Sequence, residues 1–445
     1  MTRTERLLAN PNYKWLVVAL LFVSGFLNLE DRVVIFSILP LIRRDLHLSD
    51  IQTGALMTAF LWTYAAFSPF TGYFGDRLSR RRVILSSVCA WSVVTVWAGA
   101  ITSTGQLFAT RFMLGFTESF YLPTALALLA DWHGRRTRGR AVSMLILGMN
   151  LGPILGGTFA GYVGQHYGWR VVLYVLGGIG IVHTFLLLSF LREAPSGAAE
   201  SEGTPAAEPV AAAEAKPAFL HVLRTLVSIP SFVCLGLVSA LSAVAIFMLN
   251  TWFPVFLYDT YHVNLTQSAF LGNFVLMAPV MAGTVIGGAI SDKIGAREPR
   301  YRLLMYALCL SLAIPCPLLF WWARRLAVVL TAIALFGLFR SLGECNWHPV
   351  MYELVPPNMR STATGITNSF NCLMGGVGSL VGGYYHSTLG LQGVFGLVSI
   401  LVAIGVCSLS LAYFGFLQRD MLRAQQSGVG QLGLVPDSTH ATAHP

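Results

Sequence analysis

Gly72-Tyr73-Phe74-Gly75-Asp76-Arg77-Leu78-Ser79-Arg80-Arg81 returns later in the chain as Gly288-Ala289-Ile290-Ser291-Asp292-Lys293-Ile294-Gly295, and both stretches read G-x-x-x-D-[R/K]. A plain turn between two membrane helices on the basic side would carry Lys and Arg. Nothing in that explanation calls for an aspartate at the same place twice. A second pair of landmarks repeats in step: Glu118 is followed five positions later by Pro123, and Glu344 five positions later by Pro349. The chain therefore reads as a duplication.

The stretch between the copies shows where it divides. Residues 195–217, PSGAAESEGTPAAEPVAAAEAKP, have the Ala/Glu/Pro/Gly composition of a flexible linker. On either side lie six apolar runs, each close to the ~20 residues a helix needs to cross a bilayer. They are read as spans at 15–39, 51–75, 83–104, 106–132, 140–164 and 168–191, then 229–257, 266–290, 302–323, 326–352, 362–386 and 390–416. With 55% hydrophobic and 11% charged residues, the chain lacks the polar surface of a soluble domain, where about a quarter of residues are charged. The runs are continuous, whereas barrel strands alternate over ~10 residues. The expected fold is an all-α membrane protein of twelve transmembrane helices in two pseudo-symmetric six-helix bundles. Its parts are an N-terminus (1–14), a first bundle (15–191), a linker (192–228), a second bundle (229–417) and a disordered tail (418–445).

A net charge of +9 raises the question of nucleic acid, which the placement of the basic residues answers. With the N-terminus inside, one side of the membrane holds 21 Lys/Arg and the other five (Arg43, Arg44, Arg170, Arg324 and Arg325). That asymmetry follows the positive-inside pattern, so both termini are expected in the cytoplasm and the protein in the inner (plasma) membrane. Nucleic acid is not expected as a partner. The seven cysteines lie in predicted helices without CxxC or metal-ligand spacing, and no metal, cofactor or catalytic triad is indicated. An enzyme is not expected.

Ionisable side chains inside spans are costly and so mark a pathway. Asp31 and Arg32 in the first helix, Arg111 and Glu118 in the fourth, and Glu344 in the tenth are the candidates, with Glu30 beside them. Arg111 and Glu118 are seven apart and share a helix face. The planar fork of Arg32 suits a carboxylate, while Asp31 and Glu118 suit proton carriage. A static ion-pair network between the two helices is the competing explanation, and Arg111 fits a structural strut. In the second half, Asn250, Trp252, Asn346, Asn368 and Asn371 offer amides and aromatic walls for a hydroxylated or aromatic acid. Interhelical hydrogen bonding explains any one of them equally well. Gly148-x-x-x-Gly152-Pro153-x-x-Gly156-Gly157 implies close packing and a bend. His133, His183, His221 and His348 read as core or solvated residues.

The G-x-x-x-D-R-x-x-R-R loop and its second copy resemble the signature of the major facilitator superfamily, with Ser79 where that family carries Gly. The resemblance covers residues 12–417 and implies a gate built on Gly72, Asp76, Arg77, Arg81 and Asp292. Asn28-Leu29-Glu30-Asp31-Arg32 is similar to the N-Y-x-D-R of the anion:cation symporters of galactonate, hexuronate and phthalate. Phe60-Leu61-Trp62-Thr63-Tyr64 and Arg111…Glu118…Pro123 are similar to further helices of that group. The resemblance implies Asp31 and Glu118 as protonation sites, Arg32 as the anchor of a substrate carboxylate, and Tyr64 as a substrate contact. Leu29 and the extra acid Glu30 depart from it. Gly115-x-x-Glu118-Ser119-x-Tyr121 also resembles Spinster-like transporters of lysolipids, which brings Tyr121 into the candidate set. The expectation is a monomeric, proton-coupled importer of a small organic anion, with a lysolipid transporter or a drug exporter as the alternative.

Overall fold

The computed structural model describes residues 12–75, 78–194, 219–295, 297–321, 325–356 and 359–423. The first half contains α1 (Tyr13–Ser37), α2 (Leu39–Leu46), α3 (Asp50–Gly75), α4 (Arg80–Gly99), α5 (Thr104–Ser119) and α6 (Tyr121–Trp132). It continues through α7 (Arg135–Leu151), a π-helical turn (Gly152–Gly156), α8 (Gly157–Tyr167) and α9 (Trp169–Phe190). The second half contains α10 (Phe219–Val227), α11 (Pro230–Tyr261), α12 (Leu265–Gly295), α13 (Tyr301–Ala313) and α14 (Pro315–Leu318). It ends with α15 (Leu326–Glu344), α16 (Trp347–Leu354) and α17 (Arg360–Leu411). No strand occurs among the described residues. Nine helical stretches among them are long and apolar enough to cross a membrane by length and composition.

The 52 residues of α17 would make a straight rod of about 78 Å, more than twice the hydrocarbon thickness. Gly390 breaks it, at φ 64 and ψ 169, a conformation open to glycine and costly for other residues. Two limbs result. The helices carrying the repeated glutamates are broken too, at Phe120 between α5 and α6 and at Cys345–Asn346 between α15 and α16. Proline explains both breaks, because its ring clashes with the carbonyl four residues earlier, here Ser119 and Cys345.

The duplication seen in the sequence extends to the bonds that tie helix ends. Arg80 pairs with Asp131, and Arg302 with Glu353 at 2.6 Å. Arg138 donates to the carbonyls of Ala130 and His133, and Arg360 to those of Tyr352 and Val355. The same step along the chain separates 80 from 302, 131 from 353 and 138 from 360. Each arginine fills carbonyls that a helix C-terminus leaves without intrahelical partners.

Two segments differ from the sequence reading. Part of the stretch assigned to the linker is the amphipathic helix α10, whose Val222 and Leu226 are buried in the core. Residues 418–423, assigned to a disordered tail, continue as helix, with Asp420 buried and accepting from the amide and hydroxyl of Ser231.

Candidate functional site

Asn28, Arg32 and Glu118 form the centre of the first half. Arg32 Nε donates to Glu118 Oε2 at 2.6 Å, Asn28 Nδ2 donates to the same oxygen at 3.1 Å, and Arg32 Nη2 reaches Asn28 Oδ1 at 3.3 Å. Asn28 and Arg32 are one turn apart on α1, which is why one carboxylate serves both. The guanidinium carbon lies 4.6 Å from the Tyr64 ring centroid and 5.2 Å from that of Phe60, so aromatic faces from α3 hold its flat sides. Glu118 is fully buried, and its Oε1 has no hydrogen-bond partner among the described residues. Asp31 points to another side of α1, where Thr95 Oγ1 donates to it at 3.2 Å. Arg111 is buried within electrostatic reach of both Asp31 and Glu118.

In the second half, a polar cavity of ≈ 330 Å³ is lined by Glu344, Trp347, His348, Asn368 and Asn371, with Ser239, Thr364 and Thr367 completing the wall. Asn371 Nδ2 donates to Ser239 Oγ at 2.8 Å, leaving its Oδ1 without a partner among the described residues. Cys372, next to Asn371 on α17, lies within electrostatic reach of Arg32. Glu344 pairs with Arg340 one turn earlier.

Not every expected residue lies there. Tyr121 is fully buried, with its hydroxyl bonded to Leu21 O at 2.9 Å and its ring edge-on to Trp91, so it fastens α6 to α1. Trp252 is fully buried and donates to Ser379 O at 3.1 Å. Asn346 is fully buried and donates to Gly343 O inside the helix break. Asn250 lines a separate small cavity beside Arg340. These four serve packing or lie away from the polar cavity. Conversely, Asn28, Thr95, Ser239, His348, Thr364 and Thr367 were not expected. The signal for His348 was available: Glu344 stands four positions earlier.

Of the residues expected to form a gate, Asp76 and Arg77 lie outside the described residues. Gly72 is in the last turn of α3. Arg81 donates to the carbonyls of Leu191 and Leu188, while the Glu193 carboxylate accepts from the Ser79 hydroxyl and the amides of Arg80 and Arg81. This reciprocal cap joins α4 to α9 within one half. Asp292 is exposed, with no ion pair among the described residues.

The halves meet at the opposite end. Asp50 pairs with Arg43 and, at 2.8 Å, with His386 of the second half, while Arg43 lies 3.8 Å from Asp259. Deeper in the seam, Thr58 donates to Gly376 O at 2.7 Å, Trp62 to Leu373 O at 3.0 Å, and Asn273 to Ser37 Oγ at 3.1 Å. The polar cavity lies beyond this seam, near the start of α11 and α17, toward the end that carries the connection between the halves.

Known proteins share this architecture. The chain is 28% identical over 393 residues to human (Homo sapiens) protein spinster homolog 1, covering 83% of this chain and 72% of that protein. It is 25% identical over 429 residues to the Escherichia coli (strain K12) protein named as the probable galactarate/D-glucarate transporter GudP, covering 88% and 92%. Crystal structures of a bacterial homolog of the human lysosomal transporter Spinster, inward-facing and occupied or unoccupied, superpose with TM-scores of 0.80 and 0.81 at 21% identity. They cover 92% and 94% of this chain and 98% and 99% of theirs. The profile of the Major Facilitator Superfamily matches residues 21–379, and the chain belongs to that family.

Proposed function

We propose that the protein is a proton-coupled symporter of a small organic anion, a sugar acid or an aromatic carboxylate, acting by alternating access across twelve spans with both termini in the cytoplasm. The observation that carries this reading is the Asn28–Arg32–Glu118 unit. A fully buried carboxylate shares one oxygen with an arginine and an amide, and keeps the other oxygen unpartnered. Protonation of Glu118 would loosen its hold on Arg32, and a substrate carboxylate would compete for the same guanidinium. Proton and anion thus act on one bond, which is the requirement for coupling. Arg32 anchors the carboxylate beside Tyr64, and the Asn368/Asn371/Thr364 wall takes the hydroxyls or ring of the substrate. The seam closed at the Asp50–His386 end and the cavity beyond it correspond to an inward-facing state. The bacterial Spinster homolog described above is likewise inward-facing in both of its crystal structures.

One observation favours a second reading, an amphipath transporter like the Spinster relatives. An apolar groove of ≈ 610 Å³ runs along the first half between Phe67, Phe70, Phe116 and Phe120, with Phe70 and Phe116 exposed. It would take an acyl chain.

The deciding experiment is transport into liposomes of the purified protein under an imposed proton gradient, with sugar acids, aromatic acids and lysolipids as substrates. Uphill uptake of an acid that disappears in Glu118→Gln, while exchange of that acid persists, is the expected result. Transport of lysolipid alone would replace the anion reading by the second one.

A further inference from the structure

Glu30 takes no part in the bonds described above. It is fully buried, and neither carboxyl oxygen has a hydrogen-bond partner among the described residues. Its place is the seam between α1 and the glycine run of α7 and α8. A Cβ at Gly156 would overlap the Glu30 side chain, and one at Gly152 would press on its amide and Cβ. Gly148, one turn before, lies under the Phe22 carbonyl in the same way. The turn Gly152–Gly156 is π-helical, a widened turn that recurs at functional sites and can shift its register.

The charges around Glu30 do not balance. On α1 it is followed by Asp31 and Arg32, and α5 contributes Arg111 and Glu118. From α7 and α8 the facing residues are glycines, and α12 meets the same run through Ala269 and Asn273. His183 of α9 is bonded to Ser24 at 2.9 Å, further back along α1. Three carboxyls therefore share two guanidinia. Arg32 is committed to Glu118, and Arg111 stands between Asp31 and Glu118. An ionised carboxylate in apolar surroundings with no cation and no donor is excluded by its desolvation cost, so the side chain is the uncharged acid.

We propose that Glu30 is a further proton-carrying site, holding a proton in the α1–α8 glycine seam in this conformation and releasing it when the seam loosens. The connection to the other half runs through α8. A Cβ at Gly157 would meet Asn273 and Ser37, and one at Gly161 would meet Ala269 of α12. Gln165 Oε1 accepts from the Thr266 amide and hydroxyl at 3.2 and 3.0 Å. Parting of the halves at this end frees the outer face of α8, so the glycine run can move off Glu30 and admit water. The O–H bond of the acid then breaks, the proton passes to that water, and a carboxylate remains, to be reprotonated on closure. The inference rests on the proton-coupled reading for its role in the cycle, but not for the proton itself.

Infrared spectroscopy of the purified protein in lipid, without substrate, tests the proton. Wild type should show the carbonyl stretch of a buried protonated acid, sensitive to deuterium oxide, and Glu30→Gln should lose it while Asp31→Asn keeps it. Persistence of the same band in Glu30→Gln overturns the proposal. Isotope-labelled glutamate in Glu118→Gln gives a check that does not depend on the folding of Glu30→Gln. A labelled buried-acid band must remain there, and its absence overturns the proposal equally. For the cycle, reversal potentials in liposomes should show one proton fewer per anion in Glu30→Gln, and an unchanged ratio overturns the carrier role. If the band behaves as expected and no acid drives a proton current, the symport reading fails while the proton on Glu30 stands.

Discussion

Arg32 and Lys differ at this position by more than shape. Arg32 spends Nε on Glu118 and Nη2 on Asn28 while lying against the rings of Tyr64 and Phe60, and an ammonium has neither the fork nor the flat face to do all three. Arg32→Lys keeps the charge but should weaken substrate affinity at least about tenfold, a loss of roughly 1.4 kcal/mol, measured by substrate-induced protection against thermal unfolding. Equal protection in the variant would mean that the arginine geometry is not used. At this scale the sequence was informative where energy is steep. Asp31, Arg32, Arg111 and Glu118 stand out because charge inside an apolar run is expensive, and the structure brings all four together. Amides and aromatics carry no such cost. Asn346 and Trp252 serve packing, Asn368 and Asn371 line the cavity, and nothing in their spacing separates the two outcomes.

The element that rewards attention is the helix from Arg135 to Tyr167. Its glycines read as a packing face, and the contacts show against what: Gly148 lies under the Phe22 carbonyl and Gly152 under that of Phe26. A methyl group has no room between two helix backbones, so Gly148→Ala should cost about 1–3 kcal/mol by overpacking, read as a fall in Tm of the detergent-solubilised protein. Gly178, where a Cβ would meet nothing, is the control and should tolerate alanine. The π-helical turn was not visible in the sequence, because Gly-Pro-x-x-Gly-Gly suits a bend as well as a widened turn. The breaks at Phe120 and Cys345–Asn346 fall inside stretches read as single spans, because Pro123 and Pro349 enter the sequence reading only as landmarks of the duplication, although a proline constrains the backbone in any context. Helix α10 was hidden because it lies beside a stretch of linker composition and is too short to register as a span.

Across the molecule as a whole, the two ends differ in how the halves are joined. Side-chain links join the halves around Asp50, whereas the described bonds of Arg81, Glu193 and Arg302 stay within one half. Asp50→Asn removes the anion that holds both Arg43 and His386, and should shift the population toward a state open at that end. Spin labels at Arg44 and Thr260, both exposed, report this as a longer distance between the halves. An unchanged distribution would show that the other links across the seam, Thr58–Gly376, Trp62–Leu373, Asn273–Ser37 and Gln165–Thr266, hold it without Asp50. The two-half plan was legible because duplication leaves paired motifs. The end at which the halves close was not, since one sequence supports both states of an alternating carrier and only packing separates them.

Arg138 and Arg360 each finish a helix end of their own half, as do the Arg80–Asp131 and Arg302–Glu353 pairs. These caps stay within one half, and the Gln165 contact to the Thr266 amide at the start of α12 is added across the halves. With its own helix ends finished from within in this way, each half is equipped to be made as a separate chain. A gene cut within 195–218 and expressed as two fragments should therefore yield partners that find each other in the bilayer and transport together, and co-purification of one fragment through a tag on the other is the measurement. The peptide connection would then act as a tether that sets local concentration, and the shared seam as the true joint between two machines.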